Sequence, residues 1–100
     1  MNQGVETIKQ TVCRACEQFN VKRLELFGSA ARGQSNPGSD LDFIVEFMDE
    51  SPKGYAKRFF GFHRLLEQEF GRSVDLLTND QIRNPYFKKS VNQDRVPVYG

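Results

Sequence analysis

The segment 23–47 constrains the fold most, because two apolar, strand-forming runs meet polar residues at adjacent ends. The first run ends at Gly28 and Ser29, ten residues follow, and Asp40 and Asp42 open the second run. Glycine lets an anion approach the backbone closely, and the first amides of a short helix point their N–H groups toward it. The spacing therefore predicts a phosphate-gripping turn beside two carboxylates.

The turn carries two further groups suited to phosphate. The hydroxyl of Ser29 can donate a hydrogen bond. Arg32 lies one helical turn beyond Ser29, and its planar, permanently charged guanidinium could reach the same phosphates. We expect a turn and short helix over 28–33, followed by a loop over 34–39.

The second run alternates with a period of two, which predicts a strand over 40–47. One face is apolar, and Asp40, Asp42 and Glu46 point to the other. Adjacent carboxylates repel and raise one another's pKa, a conflict that a divalent cation removes. Magnesium favours one or two carboxylates together with phosphate oxygens, so Asp40 and Asp42 are candidate metal ligands.

A third carboxylate lies in a short apolar run predicted to be a strand over 73–77. If this strand neighbours the strand over 40–47, Asp75 can complete a triad with Asp40 and Asp42. Three carboxylates could hold two metal ions, one on an outgoing pyrophosphate and one activating an incoming hydroxyl.

With these residues in place, the chain resembles the DNA polymerase β-type nucleotidyltransferase superfamily, and most of all its minimal branch (MNT, MntA-like). The resemblance rests on the pattern G-S-x10-D-x-D with a distal aspartate, and it spans the whole chain. It implies a triphosphate-binding set and a metal-binding set. The first comprises Gly28, Ser29, Arg32 and Ser39, and the second comprises Asp40, Asp42 and Asp75, of which Asp75 also assists the acceptor hydroxyl.

The resemblance implies an α+β fold in which residues 1–100 form one palm-like domain. We expect a small mixed sheet of about four strands, with helices packed mainly on one face. The implied activity is magnesium-dependent transfer of a nucleoside monophosphate, AMP from ATP, to a hydroxyl of a partner protein. The implied partner is a small helical HEPN-type toxin that this chain neutralises as antitoxin, and an oligomer of the two is a further expectation.

Two other functions stay open at this point. The chain could be a non-catalytic module that neutralises its partner by occlusion, with the nucleotide as a structural ligand. It could also nucleotidylate a small molecule, although 100 residues leave little room for an acceptor-binding domain.

Composition excludes several classes of protein. Lys and Arg total 14 against 13 Asp and Glu, a balance unlike the basic excess of a general nucleic-acid binder. No apolar run approaches the roughly 20 residues that span a membrane. The first residues lack a signal-peptide pattern, and two unpaired cysteines suit a reducing compartment, so we expect a cytoplasmic protein.

Cys13, Cys16 and His63 are interpreted as structural residues. The cysteines lie in a helix predicted over 5–19, where Cys16 falls on the apolar face and Cys13 on its flank. Two cysteines and one histidine cannot complete a four-ligand zinc site without a carboxylate. His63 lies on the apolar face of a helix predicted over 55–70, where packing is the commoner role.

The helix over 55–70 also suggests a partner surface. Phe60 and Leu65 fall off its main apolar stripe, while Lys53, Lys57 and Arg58 sit at its entrance. We favour an exposed docking surface, and the alternative is a wide stripe buried within the monomer. Further strands are predicted over 22–27 and 95–99, and a last helix has Asn84 as its N-cap and Pro85 as its first residue.

Overall fold

A computed structural model describes residues 4–34 and 40–100, which form one α+β unit. Every predicted helix and strand is present, with bounds within about two residues of those expected from the sequence. The elements in chain order are α1 (Val5–Gln18), β1 (Val21–Phe27), α2 (Gly28–Ala31), β2 (Leu41–Phe47), α3 (Tyr55–Phe70), β3 (Val74–Leu77), a 3₁₀ turn (Asn79–Gln81), α4 (Pro85–Asp94) and β4 (Val96–Tyr99).

The four strands form one mixed sheet in the order β3-β2-β1-β4. β1 pairs antiparallel with both β2 and β4, whereas β2 and β3 run parallel. Parallel neighbours need a crossover connection, and α3 provides it. This topology confirms the predicted small mixed sheet, and it places β3 beside β2 as the carboxylate triad requires.

The main core lies between one face of the sheet and the two long helices. α1 contributes the helical stripe Ile8, Val12, Ala15 and Cys16, all at most 1% exposed. From α3, Phe62 and Leu66 are fully buried. The sheet contributes apolar side chains of its strands to this core, including Leu24, Leu26, Leu41, Phe43, Val45 and Phe47.

The opposite face of the sheet is partly covered, which the sequence reading did not foresee. A second cluster joins Phe27 and Ile44 of the sheet to Ile82 and to Val91 of α4. The residue after α4, Arg95, extends this closure, because its guanidinium donates to Glu25 Oε1 at 2.7 Å and to Asn79 Oδ1 at 3.1 Å. α4 and the segment around Ile82 therefore cover part of the carboxylate face.

Several single-residue expectations have clear outcomes. Cys16 is buried and Cys13 is exposed, and both are free thiols. Asn84 caps α4 as predicted, since its Oδ1 accepts from the amides of Tyr86 at 2.9 Å and Phe87 at 3.3 Å. Across 4–34 and 40–100, no helix combines the length and apolarity needed to cross a membrane.

The predicted partner surface on α3 is only half right. Phe60 is 64% exposed, as expected. Leu65 is instead partly buried against the main core, because the apolar stripe of α3 is wide enough to include it. The Arg58 guanidinium lies over the rings of Phe47 and Tyr55 and donates to the carbonyl of Asp49 at 2.8 Å, so its charge serves the local fold.

Candidate active site

The Gly28 turn packs directly against the carboxylate of Asp42. β1 ends at Phe27, and the chain turns at Gly28 with φ +76°, a backbone conformation that favours glycine. A Cβ at this position would overlap Asp42 Oδ2, well inside contact distance. The single helical turn of α2 follows, closed by the Gln34 amide, which donates to the carbonyl of Ser29 at 2.8 Å. Gly28 and Ser29 therefore lie beside a predicted metal ligand.

Asp42 and Asp75 face one another across the parallel strands. They are direct register partners in the β2–β3 pairing, so their side chains project from the same face of the sheet. Burial, a hydrogen bond to Asp75 and the charges of Asp75 and Asp40 raise the pKa of Asp42 to about 6, while Arg32 lowers it. The site thus carries an excess of negative charge, and a bound cation would relieve the repulsion between its carboxylates.

The pair has the donor chemistry of a magnesium site. One or two carboxylates, completed by phosphate oxygens, are the ligand set that Mg²⁺ uses at phosphoryl-transfer sites, and Asp42 and Asp75 supply two side-by-side carboxylates. Asp40 is exposed and acts on Asp42 through its charge. No three His, Cys, Asp or Glu side chains within 4–34 and 40–100 are already grouped as a metal site. The structure brings Asp42 and Asp75 together, and the roles of Asp40, Asp42 and Asp75 as metal ligands stay predictions.

Arg32 lies near the carboxylates but has a protein partner. Its guanidinium forms an ion pair with Asp94 at the end of α4, and its Nε donates to Gln34 Oε1 at 3.3 Å. The same charge lowers the pKa of Asp42, which places Arg32 within electrostatic reach of the site. Its predicted phosphate contact therefore competes with Asp94. Ser39 lies outside the described residues.

Sequence reasoning missed a pair of α3 residues that hold β3. His63 Nε2 lies 2.6 Å from the carbonyl oxygen of Val74, and the Val74 amide donates to Glu67 Oε2 at 3.1 Å. Val74 directly precedes Asp75. The two contacts from His63 and Glu67 therefore hold the backbone next to the Asp75 carboxylate. The i, i+4 spacing of His63 and Glu67 was visible in the sequence, but their common target was not.

Comparison with known proteins agrees with this geometry. A sequence model of the nucleotidyltransferase domain matches residues 6–98 of this chain. The chain belongs to the nucleotidyltransferase family. A putative protein adenylyltransferase of Methanocaldococcus jannaschii is 40% identical to this nucleotidyltransferase over 82 residues, which cover 82% of this chain and 81% of the relative.

Solved structures support the same fold. A toxin–antitoxin crystal structure with AMP-PNP contains a chain that superposes with a TM-score of 0.70 at 17% identity, covering 92% of this nucleotidyltransferase and 73% of that chain. A complex of a tri-AMPylated Shewanella oneidensis HEPN toxin with an MNT antitoxin gives a TM-score of 0.64 at 14% identity, covering 96% and 72%. These neighbours show that this nucleotidyltransferase shares its fold with minimal nucleotidyltransferases.

Proposed function

We propose that this nucleotidyltransferase transfers AMP from ATP to a hydroxyl of a partner protein in the presence of Mg²⁺, and thereby neutralises a small helical HEPN-type toxin. The observation that carries the proposal is the contact between Gly28 and Asp42, with Asp75 opposite in register. A turn suited to phosphate and a carboxylate pair suited to Mg²⁺ thus form one continuous surface.

Each residue has a distinct part in the proposed transfer. The backbone of Gly28 and the hydroxyl of Ser29 hold phosphate oxygens, with Arg32 as a charged partner. Asp42 and Asp75, joined by Asp40, hold the magnesium, which neutralises charge on the triphosphate. The acceptor oxygen attacks the α-phosphorus and forms a new phosphoester bond. The bond from the α-phosphorus to the oxygen that it shares with the β-phosphorus breaks, and pyrophosphate leaves. Asp75 assists removal of the acceptor proton.

The nature of the acceptor is supported by the relatives. The M. jannaschii relative is named as a putative protein adenylyltransferase, and the S. oneidensis complex pairs an MNT antitoxin with an AMPylated HEPN toxin. This chain spans most of each matched chain, so the same division of labour fits it. A HEPN-type protein from the same organism is therefore the partner to test.

The decisive experiment compares Asp42→Asn with Glu46→Gln. Both changes replace a carboxylate by an amide on the same face of β2, but Glu46 lies away from the turn and pairs with Lys22 at 3.4 Å. Intact mass spectrometry of the partner, after incubation with Mg²⁺ and each nucleoside triphosphate, measures transfer. We expect an added AMP mass with wild type and Glu46→Gln, and a rate lower by about 100-fold or more with Asp42→Asn.

Three results would contradict the proposal in different ways. Transfer at the wild-type rate by Asp42→Asn would remove Asp42 from the reaction. A stable complex without any adduct, and neutralisation undiminished by Asp42→Asn, would identify a binding module that acts by occlusion. Adducts on small alcohols alone would indicate a small-molecule enzyme.

A further inference from the structure

Two exposed aromatic side chains lie together on α4 and have no part in the proposed transfer. Among the described residues, large hydrophobic side chains exposed to solvent include Tyr86 at 86% and Phe87 at 41%. Both belong to the first turn of α4, on the partly covered carboxylate face. Exposed aromatic surface of this kind often marks a place where a flat or apolar ligand binds.

Phe87 is held rigidly, whereas Tyr86 is not packed in the same way. The Phe87 ring meets the ring of Phe27 edge-on, with centroids 6.1 Å apart. The backbone amide of Phe87 donates to the Asn84 cap. One turn later on the same helix, Val91 is buried against the sheet. Asp94, two turns on, is ion-paired to Arg32 of the loop after α2. The Phe87 ring thus contacts Phe27 on one side, while 41% of the residue stays exposed to solvent.

The position of Phe87 relates it directly to the nucleotide site. Its packing partner Phe27 is the residue immediately before Gly28 and is the register partner of Asp42 on β2. Paired residues in an antiparallel sheet lie about 5 Å apart, so a 6.1 Å ring contact to Phe27 keeps Phe87 near both the turn and the carboxylates. A triphosphate held at Gly28 leaves its base one sugar away from the phosphates.

We propose that the open surface of the Phe87 ring is the stacking platform for the base of the nucleoside triphosphate. The inference rests on the proposed function, since it takes the phosphates to lie at Gly28. Every base has a π-face, so stacking strengthens binding with little discrimination among bases. Phe27 packs against the Phe87 ring, and the buried Val91 holds α4 against Phe27 and Ile44 of the sheet.

The test compares ATP with inorganic tripolyphosphate, which carries the phosphates but no base. Isothermal titration calorimetry on the full chain with Mg²⁺ measures both affinities for wild type, Phe87→Leu, Phe87→Tyr and Tyr86→Leu. Leucine keeps an apolar contact with Phe27 but removes the π-face, and the neighbouring Tyr86→Leu is the matched control. We expect Phe87→Leu to weaken ATP about tenfold and tripolyphosphate less than twofold. Phe87→Tyr and Tyr86→Leu should bind ATP like wild type.

Other outcomes overturn the inference. If Phe87→Leu lowered the affinities for ATP and tripolyphosphate equally, the change would have a structural effect on the turn. If the affinity of Phe87→Leu for ATP were unchanged, the base would lie elsewhere. A loss with Tyr86→Leu instead would also reject Phe87. Wild type that binds tripolyphosphate as tightly as ATP would reject base stacking and leave the proposed function standing. Wild type that binds neither would reject both.

Discussion

At the scale of single residues, Gly28 shows why the motif requires glycine. Its positive φ alone disfavours any other residue, and a Cβ would in addition overlap Asp42 Oδ2. Gly33 has a similar φ of +73°, but a Cβ there would meet nothing within 4 Å. Substitution of Gly33 therefore introduces backbone strain alone, whereas substitution of Gly28 adds a steric clash with Asp42.

We expect Gly33→Ala to lower the free energy of unfolding by about 1 kcal/mol, the usual cost of left-handed backbone for alanine. Gly28→Ala should lower it further and abolish nucleotidyl transfer, because Asp42 or the turn must move. Urea denaturation and the transfer assay measure the two effects. If Gly28→Ala behaved like Gly33→Ala in both assays, the close packing of the turn on Asp42 would be without consequence.

Asp42 gives a pH-dependent prediction for the metal-free protein. Its pKa rises from 3.8 to about 6 on folding, chiefly through burial and Asp75, so the folded state binds this proton more tightly than the unfolded state. The resulting loss of stability is absent below pH 3.8, grows as the pH rises, and is complete above pH 6. The contribution of Asp42 to the stability of wild type should therefore fall over that range.

Asp42→Asn removes this ionisation. After allowance for solvent screening of a half-buried group, we expect the variant to be about 1 kcal/mol more stable than wild type at pH 8 in EDTA. The gain should vanish near pH 4. Urea titrations at both pH values measure it, and a variant that is less stable than wild type at pH 8 would contradict the repulsion between Asp42 and Asp75.

Much of the site at this scale was predictable from local spacing. Gly28, Ser29, Asp40 and Asp42 are close in sequence, and strand alternation alone puts the carboxylates on one face. Two contacts could not be predicted from the local sequence. The Arg32–Asp94 ion pair joins residues from distant elements, and the ring contact between Phe27 and Phe87 depends on how α4 packs on the sheet.

At the scale of secondary structure, the link between α3 and β3 is the contact that keeps Asp75 in place. β3 is an edge strand, and His63 and Glu67 satisfy the carbonyl and amide of Val74 that a further strand would otherwise pair. The helix thus protects the edge and aligns the strand with β2. Loss of either side chain should loosen the strand locally.

We expect Glu67→Ala to lower the free energy of unfolding by about 1 kcal/mol and to speed amide exchange at Val74 and Asp75. Hydrogen exchange resolved by mass spectrometry or NMR measures this. Glu69→Ala is the matched control, since Glu69 is exposed on the same helix. Unchanged exchange in Glu67→Ala would show that pairing with β2 alone holds β3.

Helix and strand boundaries followed well from the sequence where the signal was local. The Asn84-Pro85 start of α4 is one such case, and alternation over β2 is another. The 3₁₀ turn was missed, although Thr78 and Gln81 form a capping box that could have marked it. Coverage of the second sheet face escaped prediction because Ile82 and Val91 are isolated apolar residues in polar surroundings.

At the scale of the whole molecule, one sheet face is closed by α1 and α3 and the other is half closed by α4. The proposed acceptor protein must therefore reach the carboxylates on the face that α4 covers in part. Phe60, 64% exposed on α3, is the apolar part of the predicted partner surface that the structure leaves accessible, and Lys53 and Lys57 are exposed as well. A docked partner that buries this ring would gain substantial binding energy.

We expect Phe60→Ser to leave the free energy of unfolding within about 0.5 kcal/mol of wild type, because the side chain is mostly exposed. The same change should weaken the complex with the toxin partner about tenfold or more, as measured by calorimetry. Met48→Ser is the control, since Met48 is 66% exposed outside α3. Equal affinities for both variants and wild type would place the interface on another surface.

The pairing of Asp42 with Asp75 has a consequence for synthesis of the protein. The two carboxylates belong to strands that become neighbours only after the whole of α3 has been made and has crossed the sheet. A ribosome-bound chain that has not yet released β3 therefore lacks one carboxylate of the proposed metal site, however well its first half is folded. Under the proposed mechanism, a translation product interrupted before β3 would transfer no nucleotide.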